Sequence, residues 1–202
     1  MPLIYVETNY LVGITTGRFP AVDELLNLLP DGWTAALPAM CVMEASTALM
    51  REKNWANGVE EYCRQQSARI RHAHHMPDAR ALERHLIHAQ RFSGRLFNEM
   101  ESRLDGALGA ILDSAQFTLL PASLAALREA TAERIARQRS DNLIAHVILD
   151  HARQTTDSKA FFSENMADFL PDGDKQPFRD AGVTRLLARW DHLCGWLESE
   201  SV

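Results

Sequence analysis

Cysteine is scarce: Cys41, Cys63 and Cys194 are the three in the chain, far apart and without a CxxC spacing. That excludes a disulfide or zinc framework and reads as reduced thiols packed inside a cytoplasmic protein. Lysine is equally scarce, with Lys53, Lys159 and Lys175 set against eighteen arginines. Arginine suits bidentate phosphate contacts, although a GC-rich genome is the plainer source of the bias. There is no excess of positive charge. A net charge of −6 argues against a protein that coats nucleic acid through a basic surface. It leaves room for an enzyme that touches a short nucleic-acid segment with local basic groups. Apolar runs are short, the longest being 143–149 with a histidine inside and 104–112 broken by Asp105. Neither approaches a membrane span. No basic region precedes the first apolar stretch, so no signal peptide is expected. No internal repeat or low-complexity segment is visible.

What is present is an ordinary globular balance: 202 residues, 46% hydrophobic and 24% charged. This is enough for one domain with a real core, with room for a sizeable insertion. The run Leu3-Ile4-Tyr5-Val6 is apolar and β-rich, as suits a central parallel strand buried on both faces. Helix is expected over 10–16 and 22–29, a second strand over 33–37, and a helix over 41–53 with Val42, Ala45 and Leu49 on one face. This β, α, β, α order points to an α/β fold with a central parallel sheet.

Residues 54–115 break the rhythm. They are polar and rich in Arg and His, and predict two long helices, 59–74 and 78–114, forming an inserted helical hairpin with Asp78 as an N-cap. The alternation then resumes with a strand over 117–120, helices over 123–137 and 141–153, and a strand over 160–162. One helical turn is expected over 165–169, a weak strand over 182–186 and a closing helix over 187–197. The stretch 171–180 is the most loop-like.

Ligands of an open parallel sheet bind beyond the carboxyl ends of its strands. Glu7 follows the first strand directly, Glu44 lies early in the helix after the second, Asp141 opens a helix facing the sheet, and Asn165 and Asp168 follow the fourth strand. Carboxylates gathered at one edge repel one another unless a cation neutralises them. Oxygen ligands select Mg²⁺ or Mn²⁺ over zinc. Such an ion polarises a phosphodiester and lowers the pKa of water.

Five segments in this order resemble the PIN domain nucleases: Ile4-Tyr5-Val6-Glu7-Thr8-Asn9, the run from Leu37 through Glu44, Phe117-Thr118-Leu119-Leu120-Pro121, the run from Ser140 through Ala145, and the run from Phe161 through Phe169. The resemblance covers 1–53 and 117 to about 190, with the arm outside it. It implies a three-layer PIN-like fold and a Mg²⁺- or Mn²⁺-dependent endoribonuclease acting on single-stranded RNA, of the kind that forms the toxin of a toxin–antitoxin pair. It also implies that Glu7, Glu44, Asp141 and Asn165 are catalytic, and that these four with Asp168 hold the metal. Thr8, Asn9 and Ser163 would position waters, ligands or phosphate. The nucleophile would be water, leaving a 3′-hydroxyl and a 5′-phosphate. The family's usual first acid is Asp, and here it is Glu7.

Plainer alternatives stand beside each reading. The acids would complement helix dipoles, a role that suits Asp141 well and Glu7 poorly. Asn9 would cap the backbone at the strand-to-helix turn. Arg134, Arg137 and Arg139 would contact RNA phosphates or form a solvated helix face. His72, His74, His75, His85 and His88 read as solvated polar faces before a transition-metal site. Phe92, Leu96, Met100 and Leu104 are core or partner-facing, and Trp190 and Trp196 close the core or an oligomer interface. The arm would gate substrate, pair protomers into a homodimer or hold an antitoxin. Two other functions stay open: a catalytically silent PIN-like interaction module, and a DNA-directed nuclease using the same ions.

Overall fold

The computed structural model describes residues 2–73, 75–170 and 173–200. In chain order the elements are β1 (Leu3–Val6), α1 (Thr8–Thr15), α2 (Val22–Leu28), β2 (Thr34–Pro38), α3 (Met40–Ile70), a 3₁₀ turn (Arg71–Ala73) and α4 (Pro77–Asp113). There follow β3 (Phe117–Leu120), α5 (Leu124–Ala132), α6 (Arg139–Arg153), β4 (Lys159–Phe162), α7 (Met166–Phe169), α8 (Gln176–Asp180), β5 (Val183–Leu187) and α9 (Trp190–Glu200). The protein is therefore α/β, with a five-stranded all-parallel sheet ordered β3-β2-β1-β4-β5.

The sheet is covered on both faces, which is why β1 and β4 are buried at every position. Tyr5 and Phe161, paired in register, point to one face. There Tyr5 meets His151 of α6, and Phe161 packs on Phe169 of α7 and Phe178 of α8. Phe162, one residue on, points to the other face and meets Phe19 and Trp190. Trp190 also stacks on Tyr10, and Trp196 lies against Trp33. Both tryptophans thus close the core, one of the two roles expected for them. The arrangement is compatible with a three-layer α/β fold.

The helical arm differs from its sequence reading. α3 runs unbroken for 31 residues through Asn54 to Gly58, where the sequence predicts an interruption. Its buried residues Ala45, Ala56, Cys63 and Ser67 continue one stripe against α4, so packing carries the helix past a glycine that costs only about 1 kcal/mol. The lower half of α4 belongs to the core: Leu104, Ala107 and Ile111 join the main cluster. Of the stripe expected there, Met100 and Leu104 are buried whereas Phe92 and Leu96 are exposed. Met76, not Asp78, is the N-cap of α4, because Pro77 takes the first helical position where its missing N–H costs nothing.

Three further boundaries move. α5 stops at Ala132 rather than 137, and the chain from Glu133 to Gln138 is a loop. The cause lies in Asn142, whose side chain takes over hydrogen bonds of that loop. β5 extends to Leu187 because Leu186 and Leu187 pair with Phe161 and Phe162, which delays α9 to Trp190. Within the loop-like stretch, Gln176–Asp180 forms a helical turn that buries Phe178; Pro171 and Asp172 lie outside the described residues. Cys41 and Cys63 are buried and Cys194 partly so, all as free thiols. Among the described residues no helix is long and apolar enough to cross a membrane.

Candidate functional site

The chain leaves β1 toward β2 on one side, and leaves β4 toward β5 on the other. The crevice between the carboxyl ends of β1 and β4 is therefore the switch point where such sheets bind ligands. Glu7 lies at the end of β1, and Ser163 and Asn165 follow β4. α3, which follows β2, brings Glu44 to the same edge, and the first turn of α6 brings Asp141. A cleft of about 510 Å³ lies there, lined by Glu7, Thr8, Asn9, Glu44, Asp141 and Asn165. Thr47, Arg51, Gln138 and Ser140 supply further polar wall, and Val12, Met43, Ala48 and Phe169 the apolar part.

Glu7 is 2% exposed. It does cap a helix, contrary to expectation: its Oε2 accepts the backbone N–H of Asn9 at 2.8 Å and closes the start of α1. Asn9 is therefore the capped residue and not the cap. The other oxygen, Oε1, is buried without a hydrogen-bond partner among the described residues. Burial raises the Glu7 pKa from 4.5 to about 7, opposed by the Asn9 N–H and the nearby Ser163 hydroxyl and reinforced by the charges of Asp141 and Glu44. Ser163 is fully buried, and its hydroxyl oxygen accepts the Asn165 N–H at 3.1 Å.

Glu44 is held by Thr8, whose hydroxyl donates to its Oε2 at 2.5 Å. The Asp141 carboxyl is also pushed up, first by burial and then by Glu44 and Asp168. Glu7 and Asp141 both feel the charge of Glu44 across the cleft. No three His, Cys, Asp or Glu side chains among the described residues converge closely enough to enclose a metal ion.

The other expected residues divide. Asn165 lines the cleft and its amide donates to Asp168. Asp168 is not part of the lining; it lies beside Asn165 with Arg137 3.7 Å away, and its backbone carbonyl accepts the Arg137 N–H. Arg134 and Arg139 do not reach this cleft. They line a separate cavity between α5 and α6, and the Arg134 guanidinium is turned onto the carbonyls of Ala136 and Arg137. Because α5 has already ended, Arg134 and Arg137 are loop residues and do not share a helix face. His72, His75, His85 and His88 are not held in the core, and His74 lies outside the described residues.

Two residues carry weight that sequence reasoning missed. Asn142 is 3% exposed and its side chain makes four hydrogen bonds, accepting from the N–H groups of Ile135 and Ala136 and donating to the carbonyls of Ala130 and Glu133. It thereby fixes the loop that sets Gln138 beside Asp141. No local pattern announces contacts six to twelve residues back. Arg51 does leave a signal: seven residues after Glu44, it falls on the same side of α3. No family model, no curated protein and no solved structure matches this chain.

Proposed function

We propose that this protein is a Mg²⁺- or Mn²⁺-dependent endoribonuclease that hydrolyses phosphodiesters of single-stranded RNA. The observation that carries the reading is the buried Glu7 oxygen without a partner among the described residues, set in a cleft that Glu44 and Asp141 share. Burying like charges together is costly unless something neutralises them. An all-oxygen donor set fits a hard cation. Mg²⁺ keeps several waters and takes only one or two carboxylates plus substrate phosphate, so it does not need three side chains to converge on it. The segments that resemble the PIN domain nucleases support the choice of RNA, and the five-stranded parallel sheet is compatible with the three-layer PIN-like fold that the resemblance implies.

Of Glu7, Glu44 and Asp141, one or two would hold the ion directly and the rest through its waters. Bound there, the cation would neutralise the scissile phosphate and make water nucleophilic near neutral pH. Thr8 fixes the rotamer of Glu44, and Asp168 fixes the amide of Asn165 at the opposite wall. Arg51 places a cation on a wall of the same cleft, where it suits a phosphate of the substrate.

One observation favours a catalytically silent interaction module instead: Glu7 already has a structural task as the cap of α1. The two readings separate on a panel of single-stranded RNAs incubated with Mg²⁺, Mn²⁺ or EDTA, using wild type and Asp141→Asn. Cleavage that needs the ion and drops by about two orders of magnitude or more in the variant is expected. Two folded proteins that cut nothing under any ion would favour the silent module. Cutting confined to a parallel single-stranded DNA panel would replace RNA with DNA as the substrate.

A further inference from the structure

α3 continues well beyond the sheet, and the side of it that faces the cleft does not end at the cleft. At about 100° per residue, Glu44, Arg51, Trp55, Tyr62 and Arg69 fall within about 40° of one another around the helix axis. This stripe is about 120° from the buried stripe that packs on α4. Trp55 is 59% exposed and Tyr62 60%, which leaves much of two large apolar rings in water. Arg51 and Arg69 flank them and form no ion pair among the described residues. Between the two rings Gly58 leaves the helix surface open, with nothing near the position a side chain would take. The stripe from Arg51 to Arg69 is about 27 Å long, and the two rings are about 10 Å apart along it.

We propose that this face of α3 is a track for single-stranded nucleic acid that leads into the acidic cleft, with Trp55 and Tyr62 stacking on bases and Arg51 and Arg69 contacting phosphates. Aromatic faces flanked by arginines suit single-strand binding, because every base offers a π-face and every linkage a negative charge. What favours nucleic acid over a protein partner is continuity with the cleft, because Arg51 both lines the cleft and begins the stripe. The exposed Phe92 and Leu96 of α4 lie outside the stripe and are not part of the track. The track rests on the reading of the cleft as a phosphodiesterase site.

The test is fluorescence anisotropy of the full chain with a labelled oligouridylate long enough to span the stripe, in EDTA so that binding is read without cleavage. Trp55→Ala and Tyr62→Ala should each weaken binding by about five-fold or more, and Trp55→Phe should retain most of the affinity. Arg51→Gln and Arg69→Gln should each reduce the slope of log affinity against log salt by about 0.7. Phe92→Ala should change nothing. The same losses on oligothymidylate would support the track too, because stacking and phosphate contacts ignore the sugar. Unchanged affinity in the Trp55→Ala/Tyr62→Ala double variant, with wild-type circular dichroism, would overturn it. So would a wild-type dimer in sedimentation that the double variant makes monomeric while RNA affinity stays the same. The two proposals fail separately: track variants that lose binding, in a protein that cuts nothing with any ion, sink the phosphodiesterase and keep the track. Ion-dependent cutting with intact binding in the variants sinks the track alone.

Discussion

A carboxyl group 2% exposed, with one oxygen on a helix N–H and the other without a partner among the described residues, keeps its proton to unusually high pH. Folding raises the Glu7 pKa from 4.5 to about 7, so between those values the native state holds a proton that the unfolded chain has released. The stability this contributes is complete below the unfolded value and is lost as pH rises through about 7. Urea denaturation of wild type should therefore give a lower unfolding free energy at pH 8 than at pH 5, by roughly 2–3 kcal/mol from this group. Glu7→Gln, which keeps the shape and removes the charge, should flatten that part of the profile. Parallel profiles for the two proteins would show that Glu7 is ionised throughout. Asn142 presents the opposite case, a buried polar side chain that is fully satisfied. Asn142→Ala would strip partners from two N–H groups and two carbonyls at once and should cost about 2–4 kcal/mol in the same assay. A loss below about 0.5 kcal/mol would mean that the 133–138 loop is held by something else.

Among the elements, α1 depends on a close approach. Phe19 lies over Gly13, and a Cβ there would come within 2.0 Å of the Phe19 ring. That ring cannot retreat, because Tyr10, Phe162 and Trp190 surround it and the N–H groups of Arg18 and Phe19 both donate to the Gly13 carbonyl. In an open helix Gly13→Ala would gain about 1 kcal/mol. In α1 the overpacking should outweigh that gain and leave a net loss of about 1–3 kcal/mol, read as a fall in the thermal midpoint. A midpoint at or above wild type would show that the ring moves freely. The strands are legible in the sequence because burial on both faces leaves the runs around Ile4, Leu37 and Phe161 wholly apolar and bounded by Pro38 or by polar residues. The unbroken α3 is not, since its continuity depends on packing against α4 rather than on the residues near Gly58. The early end of α5 is equally hidden, because Asn142 enforces it from a different helix. In the site, Glu7 and Asn165 follow from strand order, whereas Glu44 and Asp141 also depend on how α3 and α6 start. The capping role of Glu7 and the diversion of Arg134 and Arg139 to another cavity depend on local geometry that residue spacing does not encode.

For the molecule as a whole, a parallel sheet gathers the ends of its strands at one edge and so concentrates acidic groups that sequence keeps far apart. If the proposed activity holds, this concentration of acids is a binding site for a divalent cation. Isothermal titration with Mn²⁺ tests that most directly, on wild type, Glu7→Gln and Asp141→Asn at pH 7.5 in two buffers of different ionisation enthalpy. Wild type should show a site that is weakened by about ten-fold or more in each variant, with protons released on binding because a ligand must deprotonate. Wild-type affinity in both variants, or no binding in a protein that is folded, would contradict it.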